Sequence, residues 1–147
     1  MNKTSLKSAA ETATSDQAIF SLLSAAHALE DKIEAALGTV GLSMPKFSVL
    51  SALVSSGDAM SLSELASELS CVRSNMTQLV DRLEADGLVR RVTCPGDRRL
   101  VKAEITDVGR DRQQAGQAEF DRLNASFATT LGPAERRALQ RMATALK

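Results

Sequence analysis

Apolar residues recur at helical spacing along most of this chain and change once, past its middle, to the alternation of strands. From about Asp16 to Leu37, the positions Ile19, Leu22, Leu23, Ala26, Leu29, Ile33 and Leu37 share one face, with Ser24, Glu30, Asp31 and Glu34 elsewhere on the wheel. This spacing predicts a long first helix that closes near Gly38. Ser43 offers an N-cap and Pro45 a first-turn position where a missing N–H costs nothing, so Phe47, Val49, Leu50, Leu53 and Val54 predict a second helix ending at Gly57. The stretch LSELASEL, capped by Ser61 or Ser63, predicts a third helix of about two turns. Met76, Leu79, Val80 and Leu83 then predict a fourth, closed by Gly87. Two helices so joined are a helix-turn-helix candidate.

After Gly87 the period falls to two. Leu88, Val89, Val92 and Thr93 favour a strand, CPGD a turn, and Leu100, Val101, Ala103 and Ile105 a returning strand, which together would form a wing. Thr106 and Asp107 suit a helix start, and Val108, Ala115, Phe120, Leu123, Phe127 and Leu131 mark a long fifth helix with Gly116 as a tolerated weak point. Gly132 and Pro133 restart the chain for a last helix carrying Leu139, Met142, Ala143 and Leu146. The expected fold is mainly α with a small β-hairpin wing, a winged helix-turn-helix flanked by terminal helices. Residues 1–15, rich in Ser, Thr and Ala, are expected to be a flexible tail, and residues 16–147 a single domain.

Composition adds little to that pattern, but charge distribution adds a good deal. The 147 residues carry 18 basic and 18 acidic side chains, so net charge gives no reason to expect nucleic acid or an anionic membrane. Yet residues 88–103 hold Arg90, Arg91, Arg98, Arg99 and Lys102 against Asp97, a local net of +4 on the wing. Cys71 and Cys94 are too few for a disulfide framework, and with His27 they make no metal set. No stretch has the apolar length of a signal peptide or a membrane span, which makes the cytoplasm the expected compartment. Nucleophile elbows, phosphate loops and paired carboxylates in a pocket context are missing too, so neither an enzyme nor a cofactor is expected.

Residues 62–110 resemble the core of the MarR (multiple antibiotic resistance regulator) family of winged helix-turn-helix transcriptional regulators. The resemblance rests on the block S-x-x-T-x-L-V-D-R-L-E-x-x-G-L-V from Ser74 to Val89, the P-x-D-R-R wing from Pro95 to Arg99, and I-T-x-x-G-R from Ile105 to Arg110. It implies a homodimer on a palindromic operator, with a DNA-binding lobe of about residues 43–106 and dimerisation helices of about 16–38 and 107–147. It implies, too, a repressor released by a small aromatic or amphipathic effector, bound between the dimer helices and the DNA-binding lobe. His27 and Phe47 are the pocket candidates. Three positions depart from the family pattern: Val72 where a Ser is common, Cys94 where an acidic residue is common, and Ile105 where a Leu is common.

In a helix-turn-helix the early residues of the second helix face base edges in the major groove. Ser74, Asn75, Thr77 and Gln78 occupy that stretch, and Gln78 can pair bidentately with adenine. Arg82 lies a turn further on. Arg73, Arg90, Arg91 and Lys102 are candidate phosphate contacts, although Arg90 or Arg91 can point back to the protein because strand neighbours face opposite ways. By the resemblance, Arg99, beside Arg98, enters the minor groove while Asp97 steadies the loop. Two alternatives stay open: a thiol-based redox sensor using Cys71 or Cys94, and a winged-helix protein-interaction module that does not read DNA.

Overall fold

Residues 3–37 contain neither proline nor glycine, and helix α1 runs through them without a break, from Lys3 to Gly38. It therefore starts well before the Asp16 that the apolar spacing marks. Alanine-rich sequence keeps a helix going where no apolar face is needed. The computed structural model describes residues 3–94 and 96–145, apart from the side chains of residues 3–16, Cys94, Arg98 and Arg99. Two compact units divide the chain inside α1, one up to Ile33 and the other from Glu34 onward.

Within the second unit the elements follow as α2 (Met44–Ser56), β1 (Met60–Ser61), α3 (Leu62–Glu68), α4 (Arg73–Ala85), β2 (Val89–Cys94), β3 (Asp97–Ile105), α5 (Asp107–Thr130) and α6 (Pro133–Ala145). Ser43 stands at the N-cap of α2 but makes no side-chain cap bond. A residue across the loop supplies the acceptor instead, the Glu34 carboxylate taking the Met44 N–H at 2.9 Å. Ser61 caps α3 in a reciprocal box, its hydroxyl accepting the Glu64 N–H at 3.2 Å while the Glu64 carboxylate accepts the Ser61 N–H at 2.7 Å. That hydrogen bond from the Ser61 backbone holds the Glu64 carboxyl below its ordinary pKa.

The sheet is antiparallel in the order β1-β3-β2, with Val89 opposite Ile105 and a register shift between Thr93 and Cys94. Strand β1 was not legible in the sequence. Two residues, paired as Met60 with Ala103 and Ser61 with Lys102, are too short to display alternation.

The core of the second unit draws on every layer: Leu37, Leu42, Phe47, Leu50 and Leu53, then Leu65, Met76, Val80 and Leu83, then Leu88, Val89, Ala103 and Ile105, all buried. Helix α5 closes over it through two glycines. A Cβ on Gly109 would lie 2.0 Å from the Leu88 carbonyl oxygen, and one on Gly116 would lie 2.9 Å from both Leu42 Cδ1 and Phe47 Cδ2. Gly116 is thus a close-packing site rather than a tolerated weak point, and one turn on, Phe120 stacks on Phe47 with ring centroids 5.9 Å apart. Thr106 fixes the start of α5: its hydroxyl accepts the Gly109 N–H at 3.0 Å and donates to the Gly87 carbonyl at 2.7 Å.

These glycines reverse a usual sign. In an open helix, Gly→Ala stabilises by about 1 kcal/mol, whereas overfilling a packed contact costs about 1–3 kcal/mol. Gly109→Ala should therefore lower the melting temperature, and Gly116→Ala should lower it less because side chains rather than a carbonyl must give way. A rise in melting temperature for Gly109→Ala would contradict this packing.

Candidate nucleic-acid interface

Helices α3 and α4 are joined by a turn whose sharpness depends on Ser70, a non-glycine residue at φ 49°. Such a conformation costs about 1–2 kcal/mol, and here it lets the Cys71 N–H reach back to the Ala66 carbonyl at 2.9 Å. Cys71 turns inward and Val72 outward, so that Val72 becomes the N-cap of α4. Its side chain has no hydrogen-bonding atom, and no side-chain cap bond is made. The helix thereby forgoes about 1 kcal/mol of capping stabilisation. Neither Val72 nor Ser74 supplies the cap that Ser commonly provides in the family.

Burial fixes the rotation of α4 about its axis. Met76, Val80 and Leu83 are 0% exposed, while Arg73, Ser74, Asn75, Gln78, Asp81 and Arg82 are in solvent. The hydrogen-bonding side chains expected to face bases therefore do share an open face, with one exception. Thr77 is half-buried and its hydroxyl donates to the Arg73 carbonyl at 3.1 Å, so it is turned to its own helix.

The basic window of the wing is partly spent inside the protein. Arg91 donates to Asp81 at 2.5 Å and to Glu84 at 2.7 Å, and the Glu84 carboxylate also accepts the Arg91 backbone N–H at 3.1 Å. The hydrogen bond to Asp81 raises the guanidinium above its ordinary pKa, with Glu84 adding to the shift. Of the two neighbours, Arg91 is the one that points back, and it ties α4 to β2. Asp81 and Glu84, spaced i,i+3 on α4, are the signal from which this bridge could have been read. Arg90 faces solvent and donates to Glu104, its cross-strand partner, at 2.5 Å. Lys102 lies with Asp58, Glu64 and Glu68 around a shallow cavity beside β1, where its charge helps to hold the Glu64 carboxyl low.

Other candidates are dispersed. The side chains of Arg98, Arg99 and Cys94, and Pro95 altogether, lie outside the described residues. Asp97, at the first position of β3, is exposed. His27 is exposed on α1, whereas Phe47 is 6% exposed and committed to the core, so it is not a free pocket wall. A cleft of about 320 Å³ that sequence reasoning did not anticipate opens between α2 and the helix-turn-helix, lined by Met44, Pro45, Ser48, Leu69, Cys71, Met76 and Leu79. Cys71 is half-buried in its wall. Among the described residues no group of three or more His, Cys, Asp or Glu is placed to hold a metal, and no helix is long and apolar enough to cross a membrane.

Comparison with known proteins agrees with this geometry. The MarR family model matches residues 42–101, from the start of the second unit's core to the returning strand of the wing. The HTH-type transcriptional regulator PrsX of Escherichia coli is 33% identical over 82 residues, covering 55% of this chain and 49% of PrsX. The chain spans about half the length of the curated relatives it matches. Among solved structures, the transcriptional regulator BldR of Sulfolobus solfataricus is 28% identical with a TM-score of 0.70, covering 99% of this chain and 98% of BldR. BpsR of Bordetella bronchiseptica, whose structure concerns regulation of its DNA binding by 6-hydroxynicotinic acid, is 25% identical with a TM-score of 0.74, covering 85% of this chain and 89% of BpsR. The family model lies over the helix-turn-helix and the wing, and the fold of this chain recurs in these solved regulators, so residues 42–101 are similar to the MarR family.

Proposed function

We propose that the protein is a sequence-specific DNA-binding transcriptional regulator, acting as a homodimer that represses from a palindromic operator and is released by a small effector. The observation that carries this reading is the open face of α4, where Ser74, Asn75 and Gln78 stand free of the core at the start of a helix whose opposite face is fully buried. The major groove is wide enough to take that helix and presents a distinct donor and acceptor pattern at each base pair. Arg73 at its first turn and the arginines of the wing supply cationic contacts to the backbone and the minor groove. PrsX and BldR, both transcriptional regulators, support the same reading.

Dimerisation is supported by what each terminal element leaves uncovered. Ile19, Phe20, Leu22 and Leu23 on α1, and Phe127 and Met142 on α5 and α6, are exposed, and α6 buries no residue at all among those described. Soluble proteins rarely leave so much apolar surface in water, and a second copy would cover it. The cleft beside the helix-turn-helix suits a small, mainly apolar effector. Its walls include Met76 and Leu79 of α4, so an occupant there acts on the helix that reads DNA.

Two outcomes follow for measurement. On an operator selected from random sequence, Gln78→Ala should lose about 1–3 kcal/mol of discrimination at one base pair per half-site. Arg73→Ala should instead weaken every sequence alike and flatten the slope of log K against log salt by about 1 per protomer. Even losses from both variants would contradict the placement of α4 in the groove. Leu139→Asp combined with Met142→Asp should shift the chain from dimer to monomer in sedimentation and lower operator affinity with it. A wild-type chain that sediments as a monomer while binding its operator tightly would overturn the homodimer.

A further inference from the structure

Val72 is the only large apolar side chain of the helix-turn-helix, residues 62–85, that is left mostly in solvent; it is 63% exposed. It does no visible work for the fold. The backbone at Val72 performs the cap, its carbonyl accepting the Met76 N–H at 3.2 Å, while the side chain offers α4 no cap bond where a serine would provide one. The turn directs it outward: Cys71 before it lines the inner cleft, and Arg73, Ser74 and Asn75 after it are all exposed and polar. The result is a single apolar spot, the size of an isopropyl group, within the polar surface that α4 presents.

An isolated spot of that size is too small to seat a protein partner, whose interfaces require contiguous apolar area. It does match the single apolar group that B-DNA displays in the major groove, the C5-methyl of thymine. Building on the DNA-binding function proposed above, we infer that Val72 is a specificity-determining residue that packs on a thymine methyl at one position in each half-site. Ser74, Asn75 and Gln78 can sort base pairs by hydrogen bonding but make no apolar contact. Val72 would add the readout they lack, at the cost of the helix cap.

Deoxyuridine, which differs from thymidine only in lacking that methyl, isolates the contact. Operator duplexes selected by the full chain are to be rebuilt with uracil at one thymine at a time, and affinity measured by fluorescence anisotropy for the wild type, Val72→Ser and Val72→Ala. The wild type should weaken about fourfold at one thymine per half-site, the worth of one methyl removed from water. At that position Val72→Ser should bind thymine and uracil alike, while its melting temperature stays level or rises because serine can cap α4. Val72→Ala, which cannot cap, should show a reduced methyl effect, separating the contact from the cap. A wild type indifferent to uracil at every position, or a Val72→Ser that keeps the full methyl effect, would overturn the assignment while leaving DNA reading intact. A chain that enriches no sequence would overturn DNA reading itself, and this inference with it.

Discussion

The arrangement depends on the burial of Met76, Val80 and Leu83 on the inner face of α4. Each side chain fully removed from water contributes about 1.5–3 kcal/mol, so rotating the helix to expose any one of them would consume a large share of a small domain's stability. That constraint decides which residues look outward. Ser74, Asn75 and Gln78 are presented because their neighbours at helical spacing are held inside. The same rotation brings Asp81 and Glu84 to β2, where Arg91 bridges them and ties α4 to the wing.

Arg91 also changes how the charge of the chain should be counted. A sequence tally over the wing suggests a strongly basic patch, but proximity decides how much of it a nucleic acid would meet. Arg91 is engaged by two carboxylates and Arg90 by Glu104, while Lys102 sits among the acidic residues around β1. Exposed pairs such as Arg90 with Glu104 are worth about 0–1 kcal/mol and open readily for a phosphate. Arg91, with three hydrogen bonds to the protein, is held more firmly. On the proposed DNA-binding reading, Arg90 of the wing and Arg73 of α4 are open to a phosphate.

Much of this was legible in the sequence, and the gaps have physical causes. The helices, the hairpin and the outward set of α4 follow from period and turn chemistry, because an amphipathic helix encodes its own inner face in Met76, Val80 and Leu83. Strand β1 could not be read, since two residues carry no period. The caps were only half legible: the Ser61 to Glu64 box is local, but the cap of α2 comes from Glu34, ten residues away. Gly116 could not be told from a weak point until its distance to Leu42 and Phe47 was known. Phe47 became core rather than pocket for the same reason, and the cleft around Cys71 arises from the meeting of α2 with the turn, which no single segment displays.

Everything functional in this account passes through the claim that the outer face of α4 lies in the major groove. Guanine N7 opens onto that groove alone, so methylation protection by dimethyl sulfate on a selected operator measures the claim directly. The full chain should protect guanine N7 in two blocks centred about one helical turn apart, as a two-fold dimer with one α4 per half-site requires. Specific binding with every guanine N7 still reactive would contradict it.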